Sequence, residues 1–115
     1  MQYMLLIYGN ESARATAKPA DMQQMYAAYV AYTDAMKKAG VFVAGDPLQG
    51  SSTATTVKVA NGKTEVLNGP YADTKEQLGG YYLIEAADLD AALSWAARCP
   101  GASFGTMEVR PIMTM

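Results

Sequence analysis

The 115-residue chain contains no histidine and a single cysteine. The first absence removes the commonest general base, the commonest zinc ligand and the usual physiological-pH switch together. The second excludes an intrachain disulfide, and without an imidazole partner Cys99 cannot form a Cys/His nucleophile. Transition-metal binding is not expected, because zinc sites draw on His and Cys, and no motif demands another cofactor. A carboxylate-only magnesium or calcium site would need a denser run of oxygen ligands than any loop here supplies. Long apolar runs are missing too. None approaches ~18 residues, and no basic-then-apolar leader opens the chain, so the expectation is no membrane span and a cytoplasmic location. Positive charge is scarce: Lys+Arg is 9 against Asp+Glu 11, a formal net charge of -2. That balance disfavours nucleic-acid binding driven by bulk charge.

What is present is hydrophobic. Apolar residues make up 50% and charged residues 17%, which suits one folded domain over residues 1–115 with a core that needs no staple. Gln2–Tyr8 reads as a strand, with Tyr3, Leu5 and Ile7 on one face and Met4, Leu6 and Tyr8 on the other. Both faces are apolar, so both call for a cover. Asn10–Lys18 reads as a polar connection. Pro19 then opens a helix to about Ala39, where Pro at the first position costs no hydrogen bond. Met22, Met25, Tyr26, Tyr29, Thr33 and Met36 recur at helical spacing and form its expected buried stripe.

Val41–Ala44 is a second strand, followed by a loop over Gly45–Ser52 that lacks the lysine of a phosphate loop. Thr55–Leu67 reads as a β-hairpin turning at Asn61-Gly62, the residues that best tolerate positive φ. A two-residue turn sets Lys58 opposite Glu65 and Val57 opposite Val66. Asp73-Thr74-Lys75-Glu76 has the form of a capping box and predicts a short helical turn ended by Gly79-Gly80. Tyr81–Glu85 is a strand. Asp88 caps a helix over Leu89–Cys99, with Leu89, Ala92, Leu93 and Ala96 as its stripe. Thr106–Thr114 is the last strand, and Pro111 places it at an edge or a bulge. Leaving out the hairpin, the order is βαββαβ, the ferredoxin-like pattern of an α+β fold. Its two-sided apolar strands predict a homodimer, since two helices cover only one sheet face.

The segment Asn68-Gly69-Pro70-Tyr71-Ala72-Asp73-Thr74-Lys75-Glu76-Gln77-Leu78-Gly79-Gly80-Tyr81-Tyr82-Leu83-Ile84-Glu85 resembles the signature of the YCII-related family in its DGPF subgroup. Tyr3–Tyr8, Ser52–Val57, Leu89–Leu93 and Met107–Ile112 fit as well, so the resemblance spans nearly the whole chain. Two positions depart from the pattern: Asn68 stands where the family has Asp, and Tyr71 where it has Phe. The resemblance implies a dimeric α/β barrel built on a ferredoxin-like protomer. Some members of the family resemble enzymes with a His-Asp pair in a pocket, and one branch acts as a dehydrochlorinase. With no histidine, this chain does not carry that pair. The resemblance also implies an association with extracytoplasmic-function sigma factors.

Six residues stand out as candidates for a ligand site: Asp73, Lys75, Glu76, Arg110, Tyr71 and Asp46. Asp73, Lys75 and Glu76 gather acid, base and ammonium in four positions, which suits proton transfer or a polar ligand, or else a capped turn with a solvated ion pair. Asp46 follows a strand beside Pro47, where a turn role competes with a catalytic one. Arg110 and Glu108 share a strand face, either as a buried pair in a barrel or as a bridge at its rim. Tyr71, like Tyr8, Tyr81 and Tyr82, offers a hydroxyl or simply packs. Cys99 reads as a small core residue. Lys75 and Arg110 suggest a small anionic ligand near the Asn68–Gly80 segment. Two functions follow. One is a small-molecule site in a dimeric barrel, enzymatic or not; the other is a non-catalytic binding or regulatory module working with a sigma factor or another protein.

Overall fold

A computed structural model describes residues 1–115. The elements run β1 (Gln2–Gly9), α1 (Glu11–Ala15), α2 (Pro19–Lys38), β2 (Phe42–Pro47), β3 (Thr55–Ala60), β4 (Lys63–Asn68), β5 (Gln77–Glu85), α3 (Leu89–Arg98) and β6 (Thr106–Pro111). Four strands form one sheet in the order β2-β5-β1-β6, antiparallel throughout. β3 and β4 pair only with each other, as a separate two-stranded hairpin. The fold is therefore mixed α+β, and Pro111 lies in β6, an edge strand.

The helices cover one face of the main sheet. Tyr3 and Leu5 of β1 and Tyr82 and Ile84 of β5 are buried against Tyr32 and Met36 of α2 and Ala92 and Ala96 of α3, with Cys99. The Tyr32 ring meets Tyr82 edge-on at 5.4 Å, and its hydroxyl donates to the Trp95 carbonyl at 2.7 Å. Burial raises the Cys99 thiol above the ordinary cysteine range, so it packs as an inert core group.

Both helical stripes differ from the expected ones. The α2 seam runs Met25–Tyr29–Tyr32–Met36. Tyr26 sits one position off that seam, about 100° around the helix, and is 74% exposed. Met22 lies on the seam's line but in the first turns, beside a surface hollow, and is also exposed. On α3 the buried residues are Ala92 and Ala96, with Trp95 packed beside them, while Leu89 and Leu93 face outward. Small alanines let this helix sit close to the sheet, and the larger leucines are turned away.

Three connections also fold otherwise than expected. Within Asn10–Lys18, Asn10 accepts from the Ala13 N–H and caps the short helix α1. β2 continues past Ala44, because Gly45, Asp46 and Pro47 pair with Tyr82, Tyr81 and Gly80. Gly45 is required there: a Cβ would collide with the Tyr82 ring. The Asp73–Glu76 stretch forms no helical turn, and Gly79 and Gly80 lie inside β5. Side-chain bonds organise the stretch instead. Gln77 Nε2 donates to the Thr74 carbonyl at 2.7 Å, and Thr74 Oγ1 donates to the Glu76 carbonyl.

The hairpin matches its sequence pattern. Asn61 and Gly62 have φ of 52° and 75°, and Lys58 pairs with Glu65 and Val57 with Val66.

Candidate functional site

Strand alternation puts a second set of side chains on the sheet face away from the helices. Register aligns them into rows. Asp46 of β2 pairs with Tyr81 of β5, Tyr81 with Leu6 of β1, and Leu6 with Glu108 of β6. This single row crosses all four strands and carries a carboxylate at each end, about 14 Å apart at ordinary strand spacing. The next row is Ala44–Leu83–Met4–Arg110. Beyond the first row on the other side, Tyr8 pairs with Thr106. The face thus has an apolar middle of Met4, Leu6, Tyr8, Tyr81 and Leu83, none of them fully buried, and polar groups at its margins.

At one margin the Tyr81 hydroxyl donates to Asp46 Oδ2 at 2.7 Å. The Asp46 carboxylate, bonded to this hydroxyl and negatively charged beside it, holds Tyr81 above the ordinary tyrosine range. Tyr81 therefore stays a neutral donor and orients the carboxylate. At the opposite margin Arg110 forms an ion pair with Glu108 at 2.5 Å, with both side chains solvent-accessible. At a third point Thr106 Oγ1 donates to Glu76 Oε1 at 2.6 Å, which ties the 71–77 stretch to the edge strand.

The expected site residues are thereby sorted. Asp46, Glu76 and Arg110 border this face. Asp73 and Lys75 lie on the exposed stretch and belong to neither of the chain's ion pairs. Tyr71 is 93% exposed and touches no site group by hydrogen bond. The geometry does not bring Arg110 to the Asn68–Gly80 segment. That segment meets β6 at Thr106, four residues and about 13 Å along the strand from Arg110. The Arg110 charge is also taken up by Glu108, so Lys75 and Arg110 do not form a joint cation site.

Sequence reasoning missed the anchor beneath this arrangement. Glu11 Oε1 accepts from the Ser51 N–H and Oε2 from the Ser51 hydroxyl, each at 2.7 Å. The Glu11 N–H donates to Gln77 Oε1 at 3.0 Å. One residue thus joins α1, the turn before the hairpin and the start of β5. The Ser51 hydroxyl, then its N–H, lower the Glu11 carboxyl below the usual glutamate range. Asn10-Glu11 just after a strand was the only local signal, and nothing in it named Ser51. Two shallow hollows, of about 310 and 260 Å³, lie elsewhere, one at the chain termini and one beside Glu11, Arg14 and Gly50. No helix is long and apolar enough to cross a membrane.

The YCII-related domain matches residues 1–115, and the chain belongs to that family. An uncharacterised protein of Rhizobium meliloti (strain 1021) is 39% identical over 118 residues, covering 97% of this chain and 92% of its own. Among solved structures, the chain resembles the 5-chloro-2-hydroxyhydroquinone dehydrochlorinase of Burkholderia phenoliruptrix AC1100, determined in complex with 2,5-dihydroxybenzoquinone. That likeness has a TM-score of 0.55 at 19% identity, over 98% of this chain and 94% of the other. It speaks to the fold.

Proposed function

We propose that the protein is a small-molecule-binding member of its family, of the DGPF type, acting as a homodimer. Its ferredoxin-like protomers set their open sheet faces together as a dimeric α/β barrel, with the ligand between them. The observation that carries this reading is the Asp46–Tyr81–Leu6–Glu108 row. An apolar centre with hydrogen-bonding groups at its margins is the usual make-up of a small-molecule pocket once covered. The face is uncovered in one chain, and a second copy supplies a matching wall.

The ligand class follows from the margins. Asp46, Glu76 and Glu108 offer acceptor oxygens, each with its other carboxylate oxygen bonded within the chain, and the Arg110 charge is offset by Glu108. Such a site suits a compact ring with hydroxyl donors better than the small anion expected from Lys75 and Arg110 alone. The structural neighbour was determined with a compact oxygenated ring, 2,5-dihydroxybenzoquinone, and that neighbour's activity makes enzymatic use the reading we carry. Asp46, oriented by Tyr81, is the carboxylate positioned to take a proton from a bound hydroxyl. The sigma-factor association gains no support from the structure or the relatives and is not carried further.

The test is a thermal-shift screen of hydroxyquinones, catechols and small carboxylates, repeated on Asp46→Asn and Glu108→Gln. Hydroxylated rings should stabilise the wild type and lose that effect in one or both variants. Stabilisation that survives both substitutions, or that follows carboxylates and disappears in Lys75→Ala and Arg110→Ala, would overturn this site.

A further inference from the structure

The β3–β4 hairpin is out of keeping with the rest of the chain. It pairs with no strand of the main sheet, and every residue of β4 is exposed. A two-stranded hairpin alone in water is marginally stable at best. Register nevertheless gathers Val57, Val59 and Val66 on one of its faces, and these valines are 61%, 64% and 60% exposed. The root is firm: the Gly69 N–H donates to the Ala54 carbonyl and Thr56 Oγ1 donates to the Gly69 carbonyl, both at 2.7 Å. The hairpin is thus a projection tied at its root, whose apolar side its own chain leaves largely exposed. The molecule's shape agrees. Its radius of gyration is 16.0 Å, against roughly 13 Å for a compact chain of this length.

Charge points to the same kind of partner. The hairpin carries Lys58 and Lys63 against Glu65. The chain is -2 overall, so the hairpin's +1 leaves -3 on the remainder. Lys63 lies beside the Asn61-Gly62 turn, at the tip. Neither it nor Asp46 or Glu76 at the sheet margins belongs to either of the chain's two ion pairs. A basic tip and an acidic rim in the same chain are self-complementary between two copies.

We propose that this hairpin is an arm that packs on a second copy of the chain. Its Val57, Val59 and Val66 face closes the rim of the chamber between the two sheets, and Lys63 lies against the acidic rim of that second copy. Each copy then completes the other's site. The inference rests on the dimeric reading above and adds a part to it: the arm, and not the sheet face alone, holds the dimer and walls the ligand.

Sedimentation equilibrium on the full-length protein separates the two. The wild-type run tests the dimer; a single-chain mass overturns the dimer and the arm together. Given a wild-type dimer, Val57→Lys combined with Val66→Lys should raise the dissociation constant by at least about tenfold, with circular dichroism unchanged. An unchanged dissociation constant overturns the arm and leaves the barrel standing. Should the double variant lose its circular dichroism signal, Lys63→Glu decides. It should weaken the dimer at low salt and remove the salt dependence of the wild type, and equal affinity and salt dependence in the two proteins overturn the proposal.

Discussion

Tyr81 and Asp46 stand opposite each other across the β5–β2 pair, the tyrosine hydroxyl 2.7 Å from the aspartate oxygen. The pair lies on the uncovered sheet face, in line with Leu6 and Glu108. A carboxylate that accepts from a phenol holds that phenol protonated, so the Tyr81 ionisation depends on Asp46.

Removing the Asp46 charge should therefore bring the Tyr81 ionisation back down toward the ordinary tyrosine value. The neutral hydroxyl is the form that the fold favours. Its contribution to stability is complete below the ordinary tyrosine pKa and is lost as pH rises through the raised folded value. A difference titration of phenolate absorbance between wild type and Asp46→Asn checks this. One tyrosine of the eight should ionise at lower pH in the variant, and superimposable curves would count against the pairing.

Glu11 behaves in the opposite sense. Ser51 donates two hydrogen bonds to its ionised form, so its folded pKa is lowered. The stabilisation is present above the ordinary glutamate pKa and lost as pH falls through the lowered one. Glu11→Gln should flatten this part of the acid limb of stability against pH. It should also speed hydrogen exchange at the Ser51 amide, with the main-sheet amides unchanged. Wild-type protection at Ser51 in the variant would show that the anchor is dispensable.

Two tyrosines six residues apart on α2 should respond very differently. Tyr32 is 6% exposed and bonds the Trp95 carbonyl; Tyr26 is 74% exposed. Tyr32→Ala should cost about 3–5 kcal/mol, the usual range for emptying an aromatic core site. Tyr26→Ala should stay within about 0.5 kcal/mol. Urea unfolding of both variants gives the comparison, and near-equal losses would contradict the helix orientation.

These residues also show which parts of the fold were legible in the sequence. The hairpin register was readable because Asn61-Gly62 fixes the turn and the turn fixes every pair after it, Lys58 with Glu65 included. The ends of α2 were readable from Pro19 and Gly40. Its buried face was less so. Met22, Tyr26 and Tyr32 are similar in hydrophobic content, and only the packed sheet decides which of them turns inward. The Asp46–Tyr81–Leu6–Glu108 row was not legible at all. It joins four strands far apart in the chain, and bulges near Ile7/Tyr8 and Phe42/Ala44 shift the register in ways no local pattern announces. The family signature drew attention to Asp73, Lys75 and Tyr71, which the fold leaves exposed on one stretch. Asp46, Glu76 and Arg110 are the members of the predicted set that lie at the margins of the sheet.

In the proposed dimer the open sheet face is a wall shared by two copies. Sedimentation equilibrium of the wild type beside Leu6→Lys tests it most directly, because Leu6 lies in the middle of the row and outside the helix-facing core. The wild type should have a mass twice the 12.3 kDa of one chain, and Leu6→Lys a folded single-chain mass. A single-chain mass for the wild type, or a Leu6→Lys protein that stays paired with undiminished affinity, would contradict it.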